Sequence, residues 1–205
     1  MRLEELGRVG ASGPRVIDAS RGVFFPSVQC RLVSLRELDT SLLKLLRQRG
    51  HPRWAERAVA AYSRTGEHAA CWIALGLGGS ALTADPERQA GWLRGMRIVV
   101  AAYGVNQAAK FVVRRRRPEL PGLPPLSGTV TQLSFPSAHA TTSFAAARAY
   151  RGLVPSAGLY AGAMAFALSR PYLGVHYPSD VLAGALLGTA IAEAWPQGTP
   201  GRDAR

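Results

Sequence analysis

Apolar positions along the chain gather into blocks separated by charged, Gly- or Pro-bearing breaks. Residues 1–32 show neither helical nor alternating apolar periodicity and read as a loosely structured arm. From Leu32 to Arg49, Leu35, Leu38, Leu42, Leu43 and Leu46 recur at helical spacing beside Arg36, Lys44, Arg47 and Arg49, which predicts a basic amphipathic helix. Gly50, His51 and Pro52 end it, and a second, mixed helix carries Arg53, Arg57 and Arg64. Four apolar stretches follow at 69–84, 98–113, 152–169 and 181–192, with a turn at Asp85–Arg88. None reaches the roughly 20 residues that hydropathy alone requires of a membrane span. Small residues nonetheless sit four apart within these stretches, as in Gly158 and Gly162, Gly184 and Gly188, and Ala185 and Thr189. Such pairs permit close helix contact where no water drives association. The pattern predicts an all-α, membrane-embedded bundle of about five membrane-associated helices, preceded by the amphipathic helix. Its divisions are an arm over 1–52, a helical domain over 53–196 and a polar tail over 197–205.

Composition adjusts this picture in two ways. A hydrophobic fraction of 47% and a mean hydropathy of +0.02 are low for a polytopic membrane protein, so the small-residue spacing carries the membrane expectation. A formal charge of +12 favours anionic partners: nucleic acid, an acidic membrane surface or a phosphorylated substrate. Cys30 and Cys71 are too few and too far apart for a disulfide framework or metal cluster and read as ordinary thiols. The first residues, charged at Arg2, Glu4 and Glu5, lack the apolar core of a secretory signal.

Three short clusters carry candidate chemistry, each where an apolar stretch begins or ends. In the first, Lys110 precedes Arg114, Arg115, Arg116, Arg117 and Pro118. A helix continued to Arg117 would place Lys110, Arg114 and Arg117 on one face around a polyanion, leaving Arg115 and Arg116 to meet lipid headgroups. The second, Pro136-Ser137-Ala138-His139, reads as a helix start with Ser137 as cap, and free N–H groups behind it suit an anion. The third runs from Ser169 and Arg170 to His176 and Asp180. A carboxylate four residues from a histidine can hold one imidazole nitrogen and leave the other nitrogen's lone pair to attack. His51 and His68 match no pattern and read as surface or helix-end residues.

Together the clusters resemble the type 2 phosphatidic acid phosphatase family, whose signature is K-x6-R-P, then P-S-G-H, then S-R-x5-H-x3-D; the likeness spans about residues 90–195. The resemblance implies a metal-independent phosphatase of membrane lipid phosphates, with no cofactor and no metal ligands. It implies that His176 takes the phosphoryl group, Asp180 orients it and His139 protonates the leaving oxygen. Lys110, Arg117, Ser137 and Arg170 would hold phosphate oxygens, with Ala138 standing where the family has glycine. Substrates in view are phosphatidate, a polyprenyl phosphate or diphosphate and a polyprenyl-phosphosugar, with an isoprenoid lipid expected.

Two other readings share parts of the pattern: a vanadium-dependent haloperoxidase and a non-enzymatic basic protein that binds membrane or nucleic acid. The chain spends much of its length on apolar helices, unlike the larger soluble haloperoxidases. It carries no nucleic-acid-binding motif. With five crossings, the catalytic side would hold 18 Lys and Arg against seven opposite, which predicts a multi-pass cell-membrane protein with a cytoplasmic catalytic face.

Overall fold

Helix starts and stops along the chain have local causes. In the computed structural model, which describes residues 34–48 and 50–196, seven helices follow one another without a strand among the described residues. Helix α1, Leu35–Gln48, opens on a reciprocal cap: Glu37 N–H donates to Ser34 Oγ at 3.2 Å, and Ser34 N–H to Glu37 Oε2 at 2.9 Å. Helix α2, Arg53–Thr65, starts after Pro52 and leads through a single 3-10 turn, Glu67–Ala69, into α3, Ala70–Leu82. Asp85 caps α4, Pro86–Val113, by accepting from the Arg88 N–H, and Pro86 supplies the fixed φ of a first helical residue. The remaining helices are α5, Ala138–Ala149; α6, Ser156–Tyr172; and α7, Pro178–Ala194. The arm expected over 1–32 and the tail over 197–205 lie outside the described residues.

Helix α5 forms the axis, with eight of its 12 residues buried, and α4, α6 and α7 pack around it while α3 packs on α4. Small residues set these distances. At Gly184 and Gly188 an added Cβ would overlap the backbone carbonyl oxygens of Ser137 and Thr141, so α7 lies directly against the α5 backbone. The ring of Tyr150, fully buried, fills a slot opened by Gly76 on α3 and Gly95 on α4, and its hydroxyl donates to the Trp72 carbonyl at 2.9 Å. The other expected close pairs do less. Gly158 faces open space, Gly162 meets Trp72 at ordinary contact distance, and Thr189 bonds only to the Ala185 carbonyl of its own helix.

Five helices, α3 to α7, thus form the bundle. Among the described residues no helix is long and apolar enough to cross a membrane. At 1.5 Å per residue, the 17 residues of α6 or of α7 extend about 26 Å. Helix α4, with 28 residues, is long but carries Glu87, Arg88, Arg94, Arg97 and Lys110.

Helices α1 and α2 lie at the bundle end where α4 and α6 finish and α5 and α7 begin. Arg47 of α1 donates to the carbonyls of Tyr172 (3.4 Å) and Pro124 (2.8 Å). Helix α1 turns Asp39, Leu43 and Arg47 inward and leaves Leu35, Leu38, Leu42, Leu45 and Leu46 exposed.

Candidate active site

All three clusters converge on a cavity of about 120 Å³ at that end of the bundle, lined by Lys110, Arg117, Ala138, His139, Arg170 and His176. Each arrives by a different route. Lys110 projects from the last turn of α4, 4% exposed, and its Nζ donates to the carbonyls of Leu133 and Ser134, both at 3.3 Å. The helix then ends: Arg114 adopts a left-handed conformation with φ 53° and is exposed. The expected shared face of Lys110, Arg114 and Arg117 is therefore not formed. Arg117 reaches the cavity from the following loop instead, donating from Nε to Thr131 O (2.7 Å) and from Nη1 to Val175 O (2.7 Å).

Ser137 and Ala138 begin α5. Ala138 is its first residue and lacks the positive φ that would demand glycine, so the methyl group fits the backbone here. Ser137 occupies the capping position but, against expectation, makes no capping bond, and its buried Oγ has no partner. Its N–H donates to the Asp180 carbonyl at 3.0 Å, joining the starts of α5 and α7. Asn106, fully buried on α4, ties the same turn down by donating to Pro136 O (3.2 Å) and Thr141 Oγ1 (2.9 Å). Arg170, in the last turn of α6, donates from Nη1 to Ser63 Oγ at 2.5 Å, while its buried Nε has no partner. A buried serine hydroxyl and a buried guanidinium N–H without protein partners are donors suited to the oxygens of an anion.

The geometry also fixes the imidazole tautomers. Arginine only donates, so the 3.1 Å approach of Arg117 Nη1 to His176 Nε2 requires a lone pair on Nε2. The proton then lies on Nδ1, which faces Asp180 Oδ2 at 3.4 Å. The two atoms lie close but form no hydrogen bond, and Nδ1 has no bonded partner. Burial pushes the His176 pKa well below its ordinary value, and the cations Arg117, Arg170 and Lys110 push it further, so the ring stays neutral. Burial also lowers Arg117, to about 10, which leaves it charged at neutral pH. His139 Nε2 lies 2.8 Å from the Ser63 carbonyl, an acceptor only, which fixes its proton on Nε2 and leaves Nδ1 as the titrating nitrogen.

Residues 93–202 match the PAP2 superfamily. The chain belongs to that family. It is 44% identical over 126 residues to a decaprenylphosphoryl-5-phosphoribose phosphatase of Mycolicibacterium smegmatis, covering 60% of this chain and 68% of the relative. A protein of the same name from Mycobacterium tuberculosis is 40% identical over 132 residues, covering 63% and 72%. Among solved structures, the transmembrane PAP2-type phosphatidylglycerolphosphate phosphatase of Bacillus subtilis superposes with a TM-score of 0.63 at 21% identity, over 77% of this chain and 82% of that one. Aquifex aeolicus LpxE gives 0.59 at 20% identity, over 76% and 93%. The two structures share the fold with this chain. As a PAP2 protein, the chain is a phosphatase, a hydrolase of phosphoric esters.

Two residues of this PAP2 site escape a sequence reading. Arg115, expected to meet headgroups, turns inward: Nη1 donates to Asp180 Oδ1 (2.8 Å) and Ser179 Oγ (2.7 Å), and Nη2 to Asp39 Oδ2 (2.6 Å). Its guanidinium also lies 4.0 Å from the centre of the Tyr177 ring. Asp39 in turn accepts from the Ser179 N–H at 2.9 Å, so α1 is tied to the start of α7. His68, expected to be an ordinary surface residue, lines the cavity and meets Tyr103 through Nδ1 and the phenol oxygen at 2.8 Å. Among the described residues no group of three His, Cys, Asp or Glu side chains could hold a metal ion.

Proposed function

We propose that this phosphatase removes phosphate from a membrane-borne, lipid-linked phosphate ester, of which a polyprenyl-phosphosugar is the best candidate, through a phosphohistidine at His176. The observation that carries the reading is the lone pair of His176 Nε2 held against Arg117 in a cavity whose remaining cations are Lys110 and Arg170. The names of the mycobacterial relatives support the substrate class.

An incoming phosphate draws Arg117 Nη1 from the imidazole and exposes Nε2 to phosphorus. The partnerless Arg170 Nε and Ser137 Oγ, with Lys110, donate to the equatorial oxygens, supplying the charge stabilisation that phosphoryl transfer needs. Attack by Nε2 forms the P–N bond as the P–O ester bond breaks, and His139, carrying a second proton on Nδ1 beside the bound phosphate dianion, gives that proton to the departing alkoxide. Asp180 offsets the positive charge that develops on His176. Water then attacks phosphorus, His139 takes its proton, and inorganic phosphate leaves with His176 restored.

Membrane embedding rests on where apolar side chains point. Leu77, Leu82, Val100, Phe111, Met164, Leu168, Leu182 and Leu186 are exposed around the bundle, and α1 presents five exposed leucines beside the catalytic end. Lipid is the occupant that suits such a surface, with α1 lying in the headgroup plane.

The two histidines are separable by leaving group. His176→Ala abolishes turnover of every phosphate ester, with EDTA present throughout. His139→Ala lowers turnover of a lipid phosphate by about 100- to 10,000-fold, because its alkoxide needs a proton, and affects p-nitrophenyl phosphate much less. Equal losses on both substrates in His139→Ala, or surviving activity in His176→Ala, would overturn the assignment.

A further inference from the structure

The cavity has two unlike walls. One holds the cations and the histidine pair. The other is built by the turn before α3, the middle of α4 and the loop before α5, and it contains no Lys or Arg. Its polar groups are Glu67, His68, Tyr103, Gln107, Thr129 and Thr131. Tyr103, Gln107 and Lys110 share one face of α4 at i, i+4 and i+7, so this wall begins one turn from the phosphate-side lysine. Facing them, His68 and Ala69 are both left-handed, with φ 53° and 62°, a conformation that costs energy for residues other than glycine. This backbone sets His68 against Tyr103, and Glu67 lines the cavity next to it in sequence as this wall's one fixed charge, within electrostatic reach of Arg170.

Three candidate groups beyond the transferred phosphate would fare differently here. The second phosphoryl group of a diphosphate would meet the Glu67 carboxylate with no cation on that wall, a repulsive placement. An acylglycerol or plain alkyl chain would desolvate an amide, a carboxylate and hydroxyls without bonding to them. A sugar would instead donate hydroxyl protons to Glu67 and the Gln107 carbonyl and accept from the Gln107 amide.

We propose that Glu67 and Gln107, with the His68–Tyr103 pair, form a sugar-recognition subsite that selects a phosphate carried on a sugar hydroxyl over one carried on an alkyl chain or on a second phosphate. The subsite rests on the phosphatase reading of the adjacent wall. Its test uses the purified full chain and two soluble esters, ribose 5-phosphate and n-butyl phosphate, with p-nitrophenyl phosphate as a third. Wild-type kcat/KM favours ribose 5-phosphate over n-butyl phosphate by about tenfold or more, and Gln107→Leu and Glu67→Gln each lower that ratio about tenfold. A wild-type ratio near one, or a variant that loses the same factor on both esters, would overturn the subsite. Should a variant fail to fold, the wild-type ratio still decides. Failure of the phosphatase reading is distinguishable, because p-nitrophenyl phosphate would then also go unhydrolysed.

Discussion

Arg115 shows how one side chain can govern the proposed nucleophile without touching substrate. Its two terminal nitrogens reach Asp180 and Asp39 together, a span only a forked guanidinium covers. Asp180 also accepts from the Tyr177 N–H at 2.9 Å and from the Ser134 side chain, so Arg115 is, among the described residues, the one charged hold on the carboxylate that faces His176. Arg115→Ala is expected to lower kcat by about 10- to 100-fold with KM little changed, the scale of one charge-assisted bond of about 1.5–3 kcal/mol. Slower phosphoenzyme formation at unchanged substrate affinity marks positioning, whereas equal loss of kcat and stability would mark a structural role. The sequence hides this residue because its partner Asp39 is 76 positions away and Arg115 stands inside a run of four arginines. Lys110, Arg117, His139, Arg170, His176 and Asp180 are legible, by contrast, because each stands within a short segment at a spacing that can be read directly along the chain. Ser137 is legible as a helix start, yet its orphaned hydroxyl is visible only in three dimensions.

At the level of elements, glycines decide which helices touch. Gly188 meets the α5 backbone and Gly158 meets nothing, though both look alike as members of small-residue pairs. Gly188→Ala is expected to force α5 and α7 apart, costing about 1–3 kcal/mol. The strain reaches the site, since the Ser137 N–H to Asp180 carbonyl bond joins the same two helices. Gly158→Ala, in the helical interior of α6, is expected to be neutral or to stabilise by about 0.5–1 kcal/mol. Thermal unfolding in detergent compares them, and a Gly158 variant less stable than the Gly188 variant would contradict the packing. Helix existence and order follow from local caps, prolines and apolar periodicity, and were readable. The end of α4 was not: the run from Lys110 to Arg117 favours continued helix, and the left-handed turn at Arg114 appears only where Arg115 and Arg117 find partners in other segments.

For the whole molecule, the site's cations Lys110, Arg117 and Arg170 and the pair His139 and His176 gather at one end of the bundle, while exposed aliphatic side chains ring the helices. No described helix is long and apolar enough to span a bilayer, so the short helices and the leucine face of α1 must act together in the proposed embedding. The protein is expected to stay with the membrane fraction through washes in high salt and alkali. Release by high salt alone would indicate a surface attachment held by charge. The central claim is that the phosphoryl group passes through His176, and trapping it is the most direct test. The enzyme would be mixed with a radiolabelled phosphate ester, quenched in alkali, where phosphohistidine persists, and digested for peptide mapping. The account predicts label on the peptide containing His176 in wild type and none in His176→Ala. Turnover without labelled enzyme, or label that persists in His176→Ala, would contradict it.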